Sequence, residues 1–139
     1  MRNTTILVVE DEPRIVEIIE RYLSLQGFGV KTAYNGKDAL EILAQGAQVD
    51  LTVVDEKMPG MSGLSLIREI KKIRKDMPII RLTGSISIAQ LKRLSRKPDN
   101  SVLIKPIRLS ELLSLVNKFL GRETERGSDP RKKNSSDRI

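Results

Sequence analysis

Five polar residues stand just past four apolar runs. Glu10 and Asp11 follow residues 6–9, Asp55 follows 51–54, Thr83 follows 79–82 and Lys105 follows 102–104. Three carboxylates, an alcohol and a primary amine form a set with a definite chemical use. The carboxylates offer oxygen ligands to a hard divalent cation, and the amine and hydroxyl can bond to phosphoryl oxygens. This chemistry exists only if the chain gathers residues spread over about 95 positions (10 to 105). Parallel strands would do so, because their carboxyl ends share one edge of the sheet. Open α/β sheets bind ligands at that edge.

Composition removes competing chemistries. The chain has 139 residues, enough for one domain with its own core. It has no cysteine and no histidine. Disulfides, thiolate metal sites, a Ser-His-Asp triad and a phosphohistidine carried by this chain are therefore excluded. No Gly-rich phosphate loop with a lysine occurs. No apolar run approaches the roughly 20 residues that span a bilayer, and the N-terminus lacks a signal-peptide pattern. The expectation is a soluble, cytoplasmic chain without a membrane partner. The net charge is +7, of which residues 122–139 carry +2 (six basic, four acidic). Solvated helix faces explain most of that charge. A cationic stretch at 81–108, with Lys92, Arg93, Arg96, Lys97 and Lys105 against the single acid Asp99, is the sharper alternative. It contains no aromatic residue to stack on bases, so nucleic-acid binding is not expected.

The elements that must position these residues alternate strand and helix, the pattern of βαβ units and a doubly wound parallel sheet. Strands are expected at 5–9, 29–33, 51–54, from Pro78 onward, and at 101–104. Pro13 suits a first helical turn, and Ile15, Ile18, Ile19, Tyr22 and Leu23 recur at helical spacing. Asn35 should start a second helix, which Gly46 ends. A third follows the turn-rich 59–63, with Leu64, Leu66, Ile67 and Ile70 inward. A fourth is expected at 86–96, ended by Pro98, and a fifth from Ser110 to the stop at Gly121. Beyond lies a polar stretch with almost no apolar residue before Ile139. It cannot bury enough surface to offset ordering entropy. Residues 4–121 are thus expected to be one domain and 122–139 a disordered charged tail. Ending the chain after Gly121 should then barely change the melting temperature.

Four motifs in order carry a resemblance: Val8-Val9-Glu10-Asp11-Glu12-Pro13; residues 53–63 around Asp55, Met58, Pro59 and Gly63; Leu82-Thr83-Gly84; and Leu103-Ile104-Lys105-Pro106. Arranged this way, the sequence resembles the receiver domain of two-component response regulators over about residues 4–121. The resemblance implies a flavodoxin-like five-stranded sheet in the order 2-1-3-4-5 with five flanking helices. It implies that Asp55 is the phosphoacceptor, taking a phosphoryl group from a sensor histidine kinase or a histidine phosphotransfer protein. Glu10, Asp11, Asp55 and the backbone carbonyl of Lys57 would hold Mg²⁺. Lys105 and Thr83 would bond the phosphoryl oxygens, and a cis Lys105-Pro106 bond is implied. The resemblance further implies a signalling module read by a downstream protein partner, rather than a turnover enzyme. It is compatible with self-dephosphorylation and with a homodimer.

Several positions depart from the family pattern. Val102 stands where an aromatic residue usually couples phosphorylation to the switch, Gly84 where alanine is frequent, Pro98-Asp99 where two small residues are usual, and Glu10 where aspartate is frequent. The alternative function is a non-switching interaction module that uses the basic 81–108 surface. An Asp-nucleophile phosphatase is disfavoured, because Lys57 stands where a second acid would be needed.

Overall fold

The computed structural model describes residues 3–84, 87–89, 92, 102–122 and 138–139. Its elements are β1 (Thr5–Val9), α1 (Pro13–Leu25), β2 (Gly29–Ala33), α2 (Gly36–Ala44), β3 (Leu51–Asp55), α3 (Gly63–Ile73), β4 (Ile79–Thr83), β5 (Val102–Ile104) and α4 (Leu109–Leu120). The five strands form one parallel sheet in the order β2-β1-β3-β4-β5. This is the order expected from the motifs. Among the described residues there are four helices instead of five. The helix expected at 86–96, with Pro98 and Asp99 behind it, lies outside the described residues except for 87–89 and 92.

The continuous apolar runs are explained by a sheet buried on both faces. Side chains alternate across a strand, so Ile6 and Val8 of β1 point to one face and Leu7 and Val9 to the other. The first face packs with Leu51, Val53, Ile80 and Leu82 against Ile19 and Leu23 of α1 and Leu112 and Val116 of α4. The second packs with Val54 and Ile79 against Ala39 and Leu43 of α2 and Leu66 and Ile70 of α3. Helix starts follow local chemistry. Asn35 caps α2 as expected, its Oδ1 accepting the Asp38 amide at 2.8 Å. Ser62 caps α3 by accepting from the Ser65 amide at 3.2 Å.

Of the stretch expected to be a disordered tail, only its two ends are described. Gly121 ends α4 in the left-handed conformation (φ 70°). The Arg122 amide then bonds to the Asn117 carbonyl at 2.8 Å, and its guanidinium stacks over Phe28 at 4.4 Å. Arg138 and Ile139 are seated against Arg108 and Ile107 in an antiparallel bridge. Residues 123–137 lie outside the described residues.

Candidate functional site

All five candidate positions meet at the carboxyl edge of the sheet. Asp55 and Thr83 are the final residues of β3 and β4, inside the strands instead of after them. Glu10 directly follows β1, and its amide extends the ladder to the Ala33 carbonyl at 3.1 Å. Lys105 directly follows β5, and its amide bonds to the Thr83 carbonyl at 2.7 Å. Each reactive side chain therefore stands on hydrogen-bonded backbone, which limits its freedom before any ligand arrives.

Oxygen atoms of Glu10, Asp11 and Asp55 all lie within 4.8 Å of one another. Glu10 and Asp55 are buried, while Asp11 is half-buried. The Lys105 ammonium lies 3.2 Å from Asp55 Oδ1 and 3.6 Å from Glu10 Oε1. Asp55 Oδ1 also accepts the Lys57 amide at 3.4 Å, and Glu10 Oε2 accepts the Asp11 amide at 3.1 Å. Glu10 Oε1 is buried without a hydrogen-bond partner among the described residues. A buried acceptor in that condition is costly unless something satisfies it. Three converging carboxylates, one with a buried oxygen that Lys105 approaches only to 3.6 Å, fit a hard cation that takes oxygen ligands.

The electrostatics agree. Burial, then a hydrogen bond with Asp55 and the charge of Asp55, push the Glu10 carboxyl up to about 8, against the opposing pull of Lys105. Burial works against the Lys105 ammonium, yet the carboxylates of Glu10 and Asp55 outweigh it and raise its pKa. Burial beside Asp55 thus favours the protonated form of Glu10.

One residue, read in the sequence as a turn former and motif position, was given no part in the site. A Cβ at Gly63 would lie 2.5 Å from Glu56 Cα and 2.6 Å from the Asp55 carbonyl oxygen. The first turn of α3 therefore packs directly on the backbone of Asp55, and the Gly63 amide donates to the Glu56 carbonyl at 3.0 Å. The position of Gly63, eight residues past a strand-ending aspartate, was the available signal. Three of the four described basic residues at 81–108 are turned to other uses. Lys105 faces the pocket, Arg81 lies 3.9 Å from Glu56, and Arg108 lies 3.6 Å from Glu111. Lys92 is exposed, and Arg93, Arg96 and Lys97 lie outside the described residues. Lys105-Pro106 is cis, as the motif implied.

Known proteins share this architecture. The family model of the response regulator receiver domain matches residues 6–117. An uncharacterized transcriptional regulatory protein of Bacillus subtilis, YkoG, is 32% identical over 90% of this chain and 56% of its own length. The response regulator MprA of Mycolicibacterium vanbaalenii is 34% identical over 86% of this chain and 51% of its own. The chain thus spans about half the length of these relatives. Among solved structures, the response regulator TrrA of Thermotoga maritima, in complex with Mg(2+)-BeF, is 37% identical with a TM-score of 0.70, covering 84% of this chain and 98% of that one. A receiver domain protein from Clostridium thermocellum is 31% identical with a TM-score of 0.74, over 85% of this chain and 94% of its own.

Proposed function

This chain belongs to the response-regulator receiver family, and we propose that Asp55 is its phosphoacceptor. Receiver domains are signalling modules of two-component systems, so the chemistry is one stoichiometric transfer. An Asp55 carboxylate oxygen attacks the phosphorus of a phosphohistidine on a partner kinase or phosphotransfer protein. The P–N bond breaks, the imidazole nitrogen takes a proton, and an aspartyl phosphate remains, later lost by hydrolysis. The observation that carries this reading is the Lys105 ammonium 3.2 Å from Asp55, within a cluster of three carboxylates.

Glu10, Asp11, Asp55 and the Lys57 carbonyl are the proposed holders of Mg²⁺. The ion would supply positive charge that lets an anionic nucleophile meet an anionic phosphoryl group. Lys105 adds charge on the phosphoryl oxygens, and the Thr83 hydroxyl donates to one of them. That last bond is the proposed switch, drawing in the chain after β4. Residues 4–121 are proposed as the receiver unit. A downstream protein reads the change, and a homodimer is compatible with it. No described helix is long and apolar enough to cross a membrane.

The test uses phosphoramidate with Mg²⁺ and intact-mass measurement. One added phosphoryl group is expected in the wild type and none in Asp55→Asn. Labelling that persists in the variant would overturn the assignment.

A further inference from the structure

The seat of Ile139 lies on the loop that carries Lys105. The Ile107 amide donates to the Ile139 carbonyl at 2.7 Å, and the Ile139 amide returns a bond to the Ile107 carbonyl at 2.9 Å. This reciprocal exchange is the hydrogen-bonded pair of an antiparallel ladder. Arg138 stands opposite Arg108 in the same bridge. Ile107 is 1% exposed, so its backbone groups need partners other than bulk water. The Ile139 side chain packs against the cluster of Ile107, Leu109 and Leu112. Reach is no obstacle. Helix α4, of 12 residues, is about 18 Å long. The intervening residues 123–137 can extend to about 50 Å.

We propose that Ile107 is a strand-pairing seat filled in cis by Arg138–Ile139, and that filling it is coupled to phosphorylation of Asp55. The second half rests on the phosphoacceptor reading above. The loop from Lys105 to Arg108 is tied at two points. At one, the Lys105 amide bonds to the end of β4; at the other, Ile107 bonds to Ile139. The amine 3.2 Å from Asp55 projects from the residue that carries the first tie, two residues before the second. Releasing the second tie loosens the support of the amine. By reciprocity, a ligand that fixes Lys105 in the pocket favours the seated segment. Arg138–Ile139 then acts as a strap on the loop that carries Lys105, and a partner that draws these two residues away lowers the readiness of the pocket.

The experiment is amide hydrogen exchange at Ile107 together with the initial rate of phosphoramidate labelling. The proteins compared are the wild type, Ile139→Asp, Ile139→Val and a chain ended after Arg122. The Asp variant and the shortened chain should exchange the Ile107 amide at least tenfold faster and label at least twofold more slowly. The Val variant should behave as wild type. Beryllofluoride with Mg²⁺ should slow Ile107 exchange in the wild type. Unchanged exchange in both disrupted chains would overturn the docking. Faster exchange with unchanged labelling would overturn the coupling. A wild type that takes no phosphoryl group would overturn the phosphoacceptor reading and the coupling with it, while the exchange comparison would still judge the docking.

Discussion

On the β1 and β3 side of the pocket, the acids rise from strands in which residues 6–9 and 51–55 are all buried. On the β4 and β5 side, Arg81 interrupts the apolar run of β4, Val102 and Leu103 are only half-buried, and Ile104 is exposed. One side is held by two packed faces. The other is an edge strand of three residues plus a loop tied by Thr83 and Ile139. The comparison separates two tasks. Holding a cation and a nucleophile requires fixed geometry, which central strands provide. Reporting a bond made at Asp55 requires parts that can move, and local opening concentrates where burial is thin. Changes on the first side should therefore cost most.

Gly63→Ala is expected to have the largest effect. Its new Cβ would meet backbone atoms of Glu56 and Asp55 at 2.5 and 2.6 Å, and backbone cannot swing aside as a side chain can. Overpacking of this kind costs about 1–3 kcal/mol. A misplaced nucleophile loses rate as well, up to about a hundredfold for a displacement near 1 Å. Calorimetry should show a melting temperature lower by several degrees, and mass spectrometry a slow acceptor. Wild-type behaviour in both would mean that α3 does not brace the acid side.

Lys105→Met tests the cation that reaches from the β5 side to the acids of the pocket. It removes the charge facing Asp55 and Glu10. Loss of one preorganised electrostatic partner costs roughly a hundredfold in rate. Phosphoramidate labelling should fall by about that factor while the variant stays folded. An unchanged rate would show that the amine does not serve the phosphoryl group.

Proton linkage probes the acid side more gently. The Glu10 carboxyl is raised from 4.5 to about 8, with burial as the largest cause. The folded state then keeps this proton between those values while the unfolded state releases it. The folded state binds more protons, so the contribution of Glu10 to stability is full below about 4.5 and is lost as pH rises through about 8. Without divalent cations, the melting temperature should drop between pH 6 and 8.5, and Glu10→Gln should flatten that slope. Mg²⁺ affinity should rise over the same interval, because the cation competes with the proton. An identical slope in Glu10→Gln would assign the linkage to other groups.

These contrasts bear on what the sequence could show. The convergence of Glu10, Asp11, Asp55, Thr83 and Lys105 was legible because each residue stands at or just past the end of a mostly apolar run, while the strand order was legible only through the resemblance that the four motifs carry. Such runs have few readings other than a doubly covered strand. Gly63 and Ile139 were not legible. The role of Gly63 depends on how closely a helix approaches a strand end, a distance that local spacing does not encode. Ile139 looked like a stray apolar residue in a polar stretch, and only the folded chain shows its backbone paired with that of Ile107. The Arg81–Glu56 pair was hidden for a similar reason, since the register that places Arg81 between Val54 and Val102 is a long-range fact.

That pair is the next place to press. Arg81 Nε and Glu56 Oε2 are buried without hydrogen-bond partners among the described residues, and the two side chains approach only to 3.9 Å. Poorly paired buried charge is weak support, and apolar replacement of both partners is often neutral or stabilising. Arg81→Leu combined with Glu56→Leu should leave the melting temperature at or above the wild-type value. A fall of several degrees would mean that the β4 side depends on charge as firmly as the acid side depends on packing.

Gly84→Ala should produce the smallest change, and its sign is informative. Gly84 is exposed, directly follows Thr83, and does not adopt a positive φ. Among the described residues, a Cβ there would meet nothing within 4 Å. Alanine therefore introduces no clash in the folded state and mainly removes conformations from the unfolded chain, a gain of about 0.4–1 kcal/mol. The melting temperature should rise by a few degrees at most. If the chain after Thr83 must also flex to bring its hydroxyl to the phosphoryl group, the same substitution should stiffen that path. The stabilised variant should then hold beryllofluoride with Mg²⁺ no more tightly than wild type does. Tighter binding would show that glycine was the obstacle to the switch, and that the movable side of the pocket works best when preorganised.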